Sequence, residues 1–169
     1  MAELAAVSDS AARAREFVLD AHRETVETVL RCADAVAAEW DEPAAAEGEA
    51  TAEGGATADA DRLVTTDRGA VADPLRAELE ARGIWGRLPD VLAGAVRAAG
   101  YSLSASPVAD PPYVAATSRG PMLRATVPDG RLVVLLCVFE VERDGEDGSS
   151  VRYARGPTTP EDAVRVTFE

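Results

Sequence analysis

The sequence predicts an α+β protein, since its hydrophobic pattern is helical as far as Gly100 and alternates with a period of two afterwards. The segment 10–40 contains neither Pro nor Gly, as a long helix requires. Further along, Pro128-Asp129-Gly130 separates two apolar runs, a composition typical of a tight turn between antiparallel strands. We therefore expect a long N-terminal helix, a helical hairpin and a four- to five-stranded antiparallel sheet covered on both faces.

A single apolar stripe indicates that the N-terminal region, 1–40, is an amphipathic helix. The stripe recurs at spacings of four or three residues: Val18, His22, Thr25, Val29, Cys32, Val36 and Trp40. Pro43 ends the helix, because proline has no amide hydrogen to continue it. We expect the stripe to pack on the body of the protein, or on a twin helix in a homodimer.

The next segment, 41–61, has the composition of a disordered linker. It holds seven acidic residues, no basic residue and no large apolar side chain. Such a segment buries too little apolar surface to offset the entropy of ordering its backbone. Residues 1–61 carry a net charge of −11, whereas the folded body, 62–169, carries only −2.

Two short helices begin the body and form a hairpin. The first starts at Asp73-Pro74 and stops at Gly83, because proline suits the first helical position and glycine the left-handed residue that follows a helix. The second, 89–99, stops at Gly100 for the same reason. Trp85 lies between them in the sequence and is expected to fill the space between the two helices.

Segments of period two follow and are expected to form the sheet: 101–105, 113–117, 122–127, 131–143, 151–155 and 164–168. Within the fourth of these, 132–139 is apolar at every position, which in an antiparallel sheet indicates a strand buried on both faces. The helical hairpin covers one face only. The other face therefore needs the N-terminal helix or a second subunit.

The charge composition indicates an environment of high salt. Thirty acidic residues face 17 basic ones, all of them Arg, for a net charge of −13, and Lys, Asn and Gln are absent. Concentrated salt screens the repulsion that such a charge produces. In this composition and in its closing Pro160-Glu161-Asp162 segment the chain resembles uncharacterised proteins of haloarchaea, which implies a halophilic cytoplasmic protein. A signal peptide and a membrane span are both lacking, so we expect no membrane association.

Few residues offer catalytic chemistry. His22 is the only histidine, and Cys32 lies about 15 Å further along the same helix, too far for a thiolate–imidazole pair. Cys32 and Cys137 lie in apolar stretches and are expected to be reduced, buried thiols. Since the sequence also lacks a glycine-rich phosphate loop, we expect neither a metal nor a cofactor and no catalytic centre.

One acidic pattern resembles the metal-binding signature of PD-(D/E)xK nucleases: Pro128-Asp129 followed by Glu140-Val141-Glu142. The resemblance implies a hairpin whose carboxylates bind Mg²⁺. A straight strand, however, places Asp129 more than 30 Å from Glu140, at about 3.3 Å per residue. Glu140 and Glu142 are then expected at the exposed end of a strand.

Three arginines around the predicted hairpin, Arg119, Arg124 and Arg131, form a candidate site for an anion or an acidic partner. The leading hypothesis is a non-enzymatic interaction module that binds a protein partner or itself. The alternative is a nucleic-acid-associated or nuclease-like protein that uses these arginines or Glu140 and Glu142. Nucleic acid is not an expected partner, because a protein that neutralises few phosphates binds it weakly in molar salt.

Two further hypotheses remain open at this point. The acidic arm, 1–61, carries enough negative charge to occupy or shield the three arginines, most strongly at low salt. Alternatively, Trp85, Tyr101 and Tyr113 line a pocket for a small ligand between sheet and helices.

Overall fold

A computed structural model describes residues 2–40, 63–144 and 150–169, so the predicted linker, 41–61, lies outside the described residues. The helices are α1 (Ala2–Ala21), α2 (Arg23–Ala38), α3 (Ala72–Ala81), α4 (Leu88–Ala98) and the single turn α5 (Pro160–Ala163). The strands are β1 (Val64–Thr65), β2 (Val114–Ala116), β3 (Pro121–Val127), β4 (Gly130–Leu136), β5 (Phe139–Asp144), β6 (Ser150–Arg155) and β7 (Val164–Phe168). The predicted α+β class is confirmed.

The described strands form two antiparallel sheets. One has four strands in the order β2-β3-β4-β7, and the other has three in the order β1-β6-β5. The hairpin expected at Pro128-Asp129-Gly130 joins β3 to β4, with Val127 paired to Gly130. Inward-facing side chains of β3 and β4, among them Leu123 and Val134, are completely buried. Helices α1 and α4 lie on this inner face, against β7 and β3.

The strand expected over 131–143 is two strands that belong to different sheets. At the junction, the amide of Cys137 donates to the carbonyl of Ala163 (2.8 Å) and the amide of Val138 to that of Arg119 (2.7 Å). These bonds take the backbone away from the β4 ladder, and β5 then pairs with β6. Continuous apolarity predicted burial correctly at this junction and missed the change of sheet.

The N-terminal helix is bent at His22, whose backbone (φ −124°, ψ 26°) leaves the helical region. The bend lets α1 lie on α4 and β7 while α2 lies on α3 and β6, two surfaces that one straight helix does not follow. The predicted stripe packs within the chain itself: Val18, Thr25, Val29, Cys32, Val36 and Trp40 are buried and His22 is half-buried.

A buried arginine fastens α2 to the sheets. Only 9% of the Arg155 side chain is exposed, and its Nε donates to Asp34 Oδ1 at 2.8 Å. The same guanidinium donates to the carbonyls of Val138 (2.8 Å), Pro157 (2.7 Å) and Leu30 (3.2 Å). One side chain thus joins a helix, a strand junction and a loop.

The two helices expected as a hairpin are present as α3 and α4, and α3 packs mainly on α2 whereas α4 packs mainly on α1. Gly83 and Gly100 follow the two helices with φ of +74° and +98°, the left-handed conformation expected there. Trp85 is buried between the helices and donates its Nε1 hydrogen to the carbonyl of Ala109 at 3.0 Å. The expected strand over 101–105 is absent, because Tyr101 and the residues after it pack on the core without a strand partner.

Candidate functional site

The second face of the four-stranded sheet, here called the outer face, points away from α1 and α4. Cross-strand pairing places these residues on it: Met122, Arg124, Thr126, Arg131, Val133, Leu135, Arg165 and Thr167. The predicted residues Arg124 and Arg131 are diagonal neighbours, a relation that separates side chains by roughly 7–8 Å. Arg165, opposite Leu135, is a third arginine on this face that the sequence analysis did not single out.

The sequence predicted that the N-terminal helix or a second subunit covers the outer face, whereas α1 lies on the inner face. Even so, Val133 is only 8% exposed. Arg124 and Arg131 are its neighbours on β3 and β4, and the apolar stems of arginines cover hydrophobic surface while their charged ends stay in water. On the outer face, the charged ends of the arginines therefore lie above a layer of apolar side chains.

An edge groove of about 420 Å³ lies beside β3, where the three-residue β2 leaves half of the longer strand uncovered. It is lined by Leu103, Ser104, Ala105, Pro112, Tyr113, Arg124, Thr126 and Arg131. Two of the three predicted arginines thus share one groove. The structure places the third, Arg119, elsewhere.

Arg119 lies on a larger inter-sheet groove, of about 780 Å³, where the outer face meets the three-stranded sheet. Its apolar floor consists of Met122, Leu135, Val141, Val151 and Tyr153. Its basic rim consists of Arg68, Arg119 and Arg143, with Thr117 and Ser118 beside them. Among the described residues, no carboxylate lines this groove.

A tight turn between β2 and β3 fixes the backbone of Arg119. The Thr117 hydroxyl accepts from the amides of Arg119 and Gly120, both at 3.2 Å, and donates to the Gly120 carbonyl at 2.7 Å. The Arg119 carbonyl accepts from the amides of Val138 (2.7 Å) and Phe139 (3.0 Å). The turn is thereby held at the junction of the two sheets, and this places Arg119 at the groove.

The arginines of the described residues fall into two groups. Several have side-chain partners: Arg13, Arg15, Arg23, Arg31, Arg76, Arg82, Arg152 and Arg155. The others form no side-chain hydrogen bond or ion pair within the described part of the chain: Arg68, Arg87, Arg97, Arg119, Arg124, Arg131, Arg143 and Arg165. All but Arg87 and Arg97 lie on the outer face or on the rim of the inter-sheet groove.

One carboxylate borders the arginine surface. Glu169 follows β7, and its backbone pairs with that of Arg131 through two hydrogen bonds of 2.8 Å. Their side chains form no ion pair in the described structure. Glu169 is therefore an acidic residue at the margin of a basic surface.

The acidic residues of the nuclease-like pattern do not converge. Asp129 lies in the β3–β4 turn and accepts a hydrogen bond from the Tyr101 hydroxyl at 3.1 Å. Glu140 and Glu142 lie on β5 in the other sheet, and Glu142 pairs with Arg152 at 2.6 Å. The length of β4 separates Asp129 from this pair by about 20 Å, at 3.3 Å per residue. No group of three metal-ligating side chains occurs among the described residues.

The remaining candidates are structural. His22 is half-buried against Phe17, with ring centroids 5.3 Å apart, and burial lowers its pKa while nearby Asp90 partly opposes that effect. Cys32 and Cys137 are buried free thiols, as predicted, and burial raises the pKa of Cys32.

The three aromatic residues considered as a ligand pocket lie in separate places. Trp85 is enclosed by the helical hairpin, and Tyr101 stacks on Phe168 with ring centroids 5.7 Å apart. Tyr113 borders the edge groove. These residues therefore form no common pocket.

Comparison with known proteins adds a family. Within the described parts of the chain, every helix is too short or too polar to cross a membrane. No curated protein and no solved structure matches the chain. A family model described as Domain of unknown function (DUF7988) matches residues 12–169, from within α1 to the last residue. The protein therefore belongs to the DUF7988 family, whose function is unknown.

Proposed function

We propose that this protein is a non-enzymatic interaction module whose outer face binds an acidic protein partner. The observation that carries the proposal is the gathering of unpaired arginines at this face, in a chain of net charge −13. A guanidinium offers five hydrogen-bond donors in a planar fork that matches a carboxylate. An acidic segment laid across the outer face would supply the partners that these arginines lack within the described chain.

Other surfaces offer less to a partner. The helical stripe that first suggested a homodimer is buried against the chain's own α3, α4 and sheets. A nucleic acid would meet a chain of net charge −13, and counterion release contributes little to its binding in molar salt. The mixture of arginine heads and half-buried apolar side chains suits a polypeptide better than a phosphodiester backbone.

The composition supports a cytoplasmic location in a halophilic organism as part of this proposal. In 1 M salt the Debye length is about 3 Å, so charges attract each other only near contact. Bidentate arginine–carboxylate hydrogen bonds still form at that range. The partner would accordingly be recognised by direct contact more than by long-range attraction.

The test is a binding titration with a fluorescent ten-residue polyglutamate peptide in 0.1 M and 2 M KCl. The Arg124→Ser/Arg131→Ser variant should bind at least roughly tenfold more weakly than the wild type, a difference of about 1.4 kcal/mol. The matched control is Arg31→Ser/Arg87→Ser, which removes the same charge from exposed arginines that line neither groove. This control should retain the wild-type affinity within about twofold.

Two outcomes would overturn the proposal. Equal losses in both double variants would mean that the peptide senses net charge rather than this face. Tighter binding of a ten-nucleotide single-stranded DNA at the same arginines would mean that the partner is a nucleic acid.

A further inference from the structure

The inter-sheet groove combines two chemistries on one surface. Met122 and Leu135 reach it from the four-stranded sheet, and Val141 and Tyr153 reach it from the three-stranded sheet. The first three are half-buried and Tyr153 is 7% exposed, so the floor is apolar and still accessible from the opening of the groove. Apart from the Tyr153 hydroxyl, a floor of this kind offers no hydrogen-bond donor to a carboxylate.

Basic side chains surround that floor from three different segments. Arg68 follows β1, Arg119 lies in the β2–β3 turn, and Arg143 lies near the end of β5. A ligand that fits both the apolar floor and the basic rim carries a bulky apolar group in its centre and acidic groups on either side. The volume of about 780 Å³ is large enough for one such side chain and its neighbouring residues.

We propose that the inter-sheet groove anchors the acidic partner through one large apolar side chain flanked by carboxylates. This inference rests on the proposed function and adds a specificity to it. Met122 and Arg124 are two residues apart on β3 and therefore lie on the same face. One extended segment can thus continue from the groove onto the outer face. Apolar contact also remains effective in molar salt, where the attraction between charges is screened.

The composition of the chain's own acidic segment distinguishes it from such a partner. Residues 41–61 supply seven carboxylates and no large apolar side chain. That segment could satisfy the rim of the groove but not its floor. The proposed occupant is therefore a segment of another protein.

The test compares two nine-residue peptides of equal charge, each with four acidic residues on either side of a central leucine or a central serine. With wild-type protein in 2 M KCl, the leucine peptide should bind roughly tenfold more tightly. Met122→Gln and Val141→Thr, which place polar atoms on the floor, should each reduce that preference to less than about threefold. Val108→Thr is the matched control, because Val108 is 54% exposed and lies outside the groove.

The outcomes separate the anchor from the proposed function. If both peptides bind equally while Arg124→Ser/Arg131→Ser weakens them, the outer face binds acidic partners and the anchor is refuted. If neither peptide binds in 0.1 M KCl, the proposed function itself fails. A preference for leucine that survives both floor variants would place the anchor elsewhere and would also refute this inference.

Discussion

Gly120, in the turn that carries Arg119, is the backbone position where one added methyl group should do the most damage. Its φ is +144°, a conformation that residues with a side chain rarely adopt. A Cβ at this position would overlap the carbonyl oxygen of Leu136 and lie 3.1 Å from its carbonyl carbon. Because the obstacle is backbone of β4, a change of rotamer cannot relieve it.

The cost of Gly120→Ala follows from two contributions. Holding a non-glycine residue at such a φ costs about 1–3 kcal/mol. Moving the turn away from β4 weakens the two hydrogen bonds that the Arg119 carbonyl accepts from Val138 and Phe139, at about 1 kcal/mol each. We expect a total loss of about 3–5 kcal/mol, equivalent to a fall in melting temperature of roughly 10 °C for a chain of this size.

Two other glycines separate these contributions. Gly83 has φ +74° and open space around a Cβ, so Gly83→Ala should lose only the conformational part, about 1–2 kcal/mol. Gly86 has neither a positive φ nor a nearby atom, and Gly86→Ala should stay within about 0.5 kcal/mol of the wild type. Urea denaturation followed by circular dichroism measures all three variants. The reasoning is refuted if Gly120→Ala loses less than Gly83→Ala, or if Gly86→Ala loses as much as either.

Three further predictions concern the interior. Cys32 and Cys137 should react with a thiol reagent only in denaturant, and modification of the native protein within minutes would contradict their burial. Because the pKa of His22 is lowered from 6.5 in the fold, the unfolded chain binds its proton more readily, so stability should fall as the pH drops through 6.5. The same titration of His22→Gln should lack that part of the decline, and identical pH profiles would refute the assignment. Arg155→Met should lose about 3 kcal/mol because its charged hydrogen bonds are buried, whereas Arg82→Met, at an exposed pair, should lose less than about 1 kcal/mol in the same urea assay.

Local signals predicted the ends of the two short helices well. Gly83 and Gly100 act within one turn of the backbone, so their effect does not depend on distant residues. The start of α3 was predicted slightly late, because the helix begins at Ala72, before Asp73-Pro74, with Val71 as its N-cap. The burial of the N-terminal stripe was also predictable, because a helix with one apolar side must cover it. Whether α2 would pack on its own chain or on a twin helix was not, since an apolar stripe does not identify its partner.

The bend of the N-terminal helix and the change of sheet between β4 and β5 had no local signal in the sequence. His22 is neither proline nor glycine, and the bend there follows from the two surfaces that α1 and α2 cover. Likewise, 136–139 is uniformly apolar, and the chain changes sheet only because Cys137 and Val138 find hydrogen-bond partners at Ala163 and Arg119. Such distant backbone partners cannot be inferred from the order of side chains alone.

The arginine surface was predictable where it follows strand alternation. Arg124 and Arg131 flank the predicted turn, and Arg165 could have been added because Val164 and Val166 on either side of it face inward. Arg143 was not predictable as a neighbour, since it comes close to Met122 only after the chain has changed sheets.

Clustered arginines of this kind repel each other, and a bound acidic partner can remove that repulsion. Two unit charges 7–8 Å apart repel each other by about 0.5 kcal/mol in water, so Arg124 and Arg131 oppose folding slightly at low salt. In the same chain, Arg76 and Arg82 are each paired with a glutamate one helical turn away. An acidic partner on the outer face would turn that repulsion into attraction, most strongly at low ionic strength. In molar salt both effects shrink together, and apolar contact in the inter-sheet groove then becomes the larger part of binding. The ratio of leucine-peptide to serine-peptide affinity should therefore persist as salt rises, while the affinity of each peptide falls.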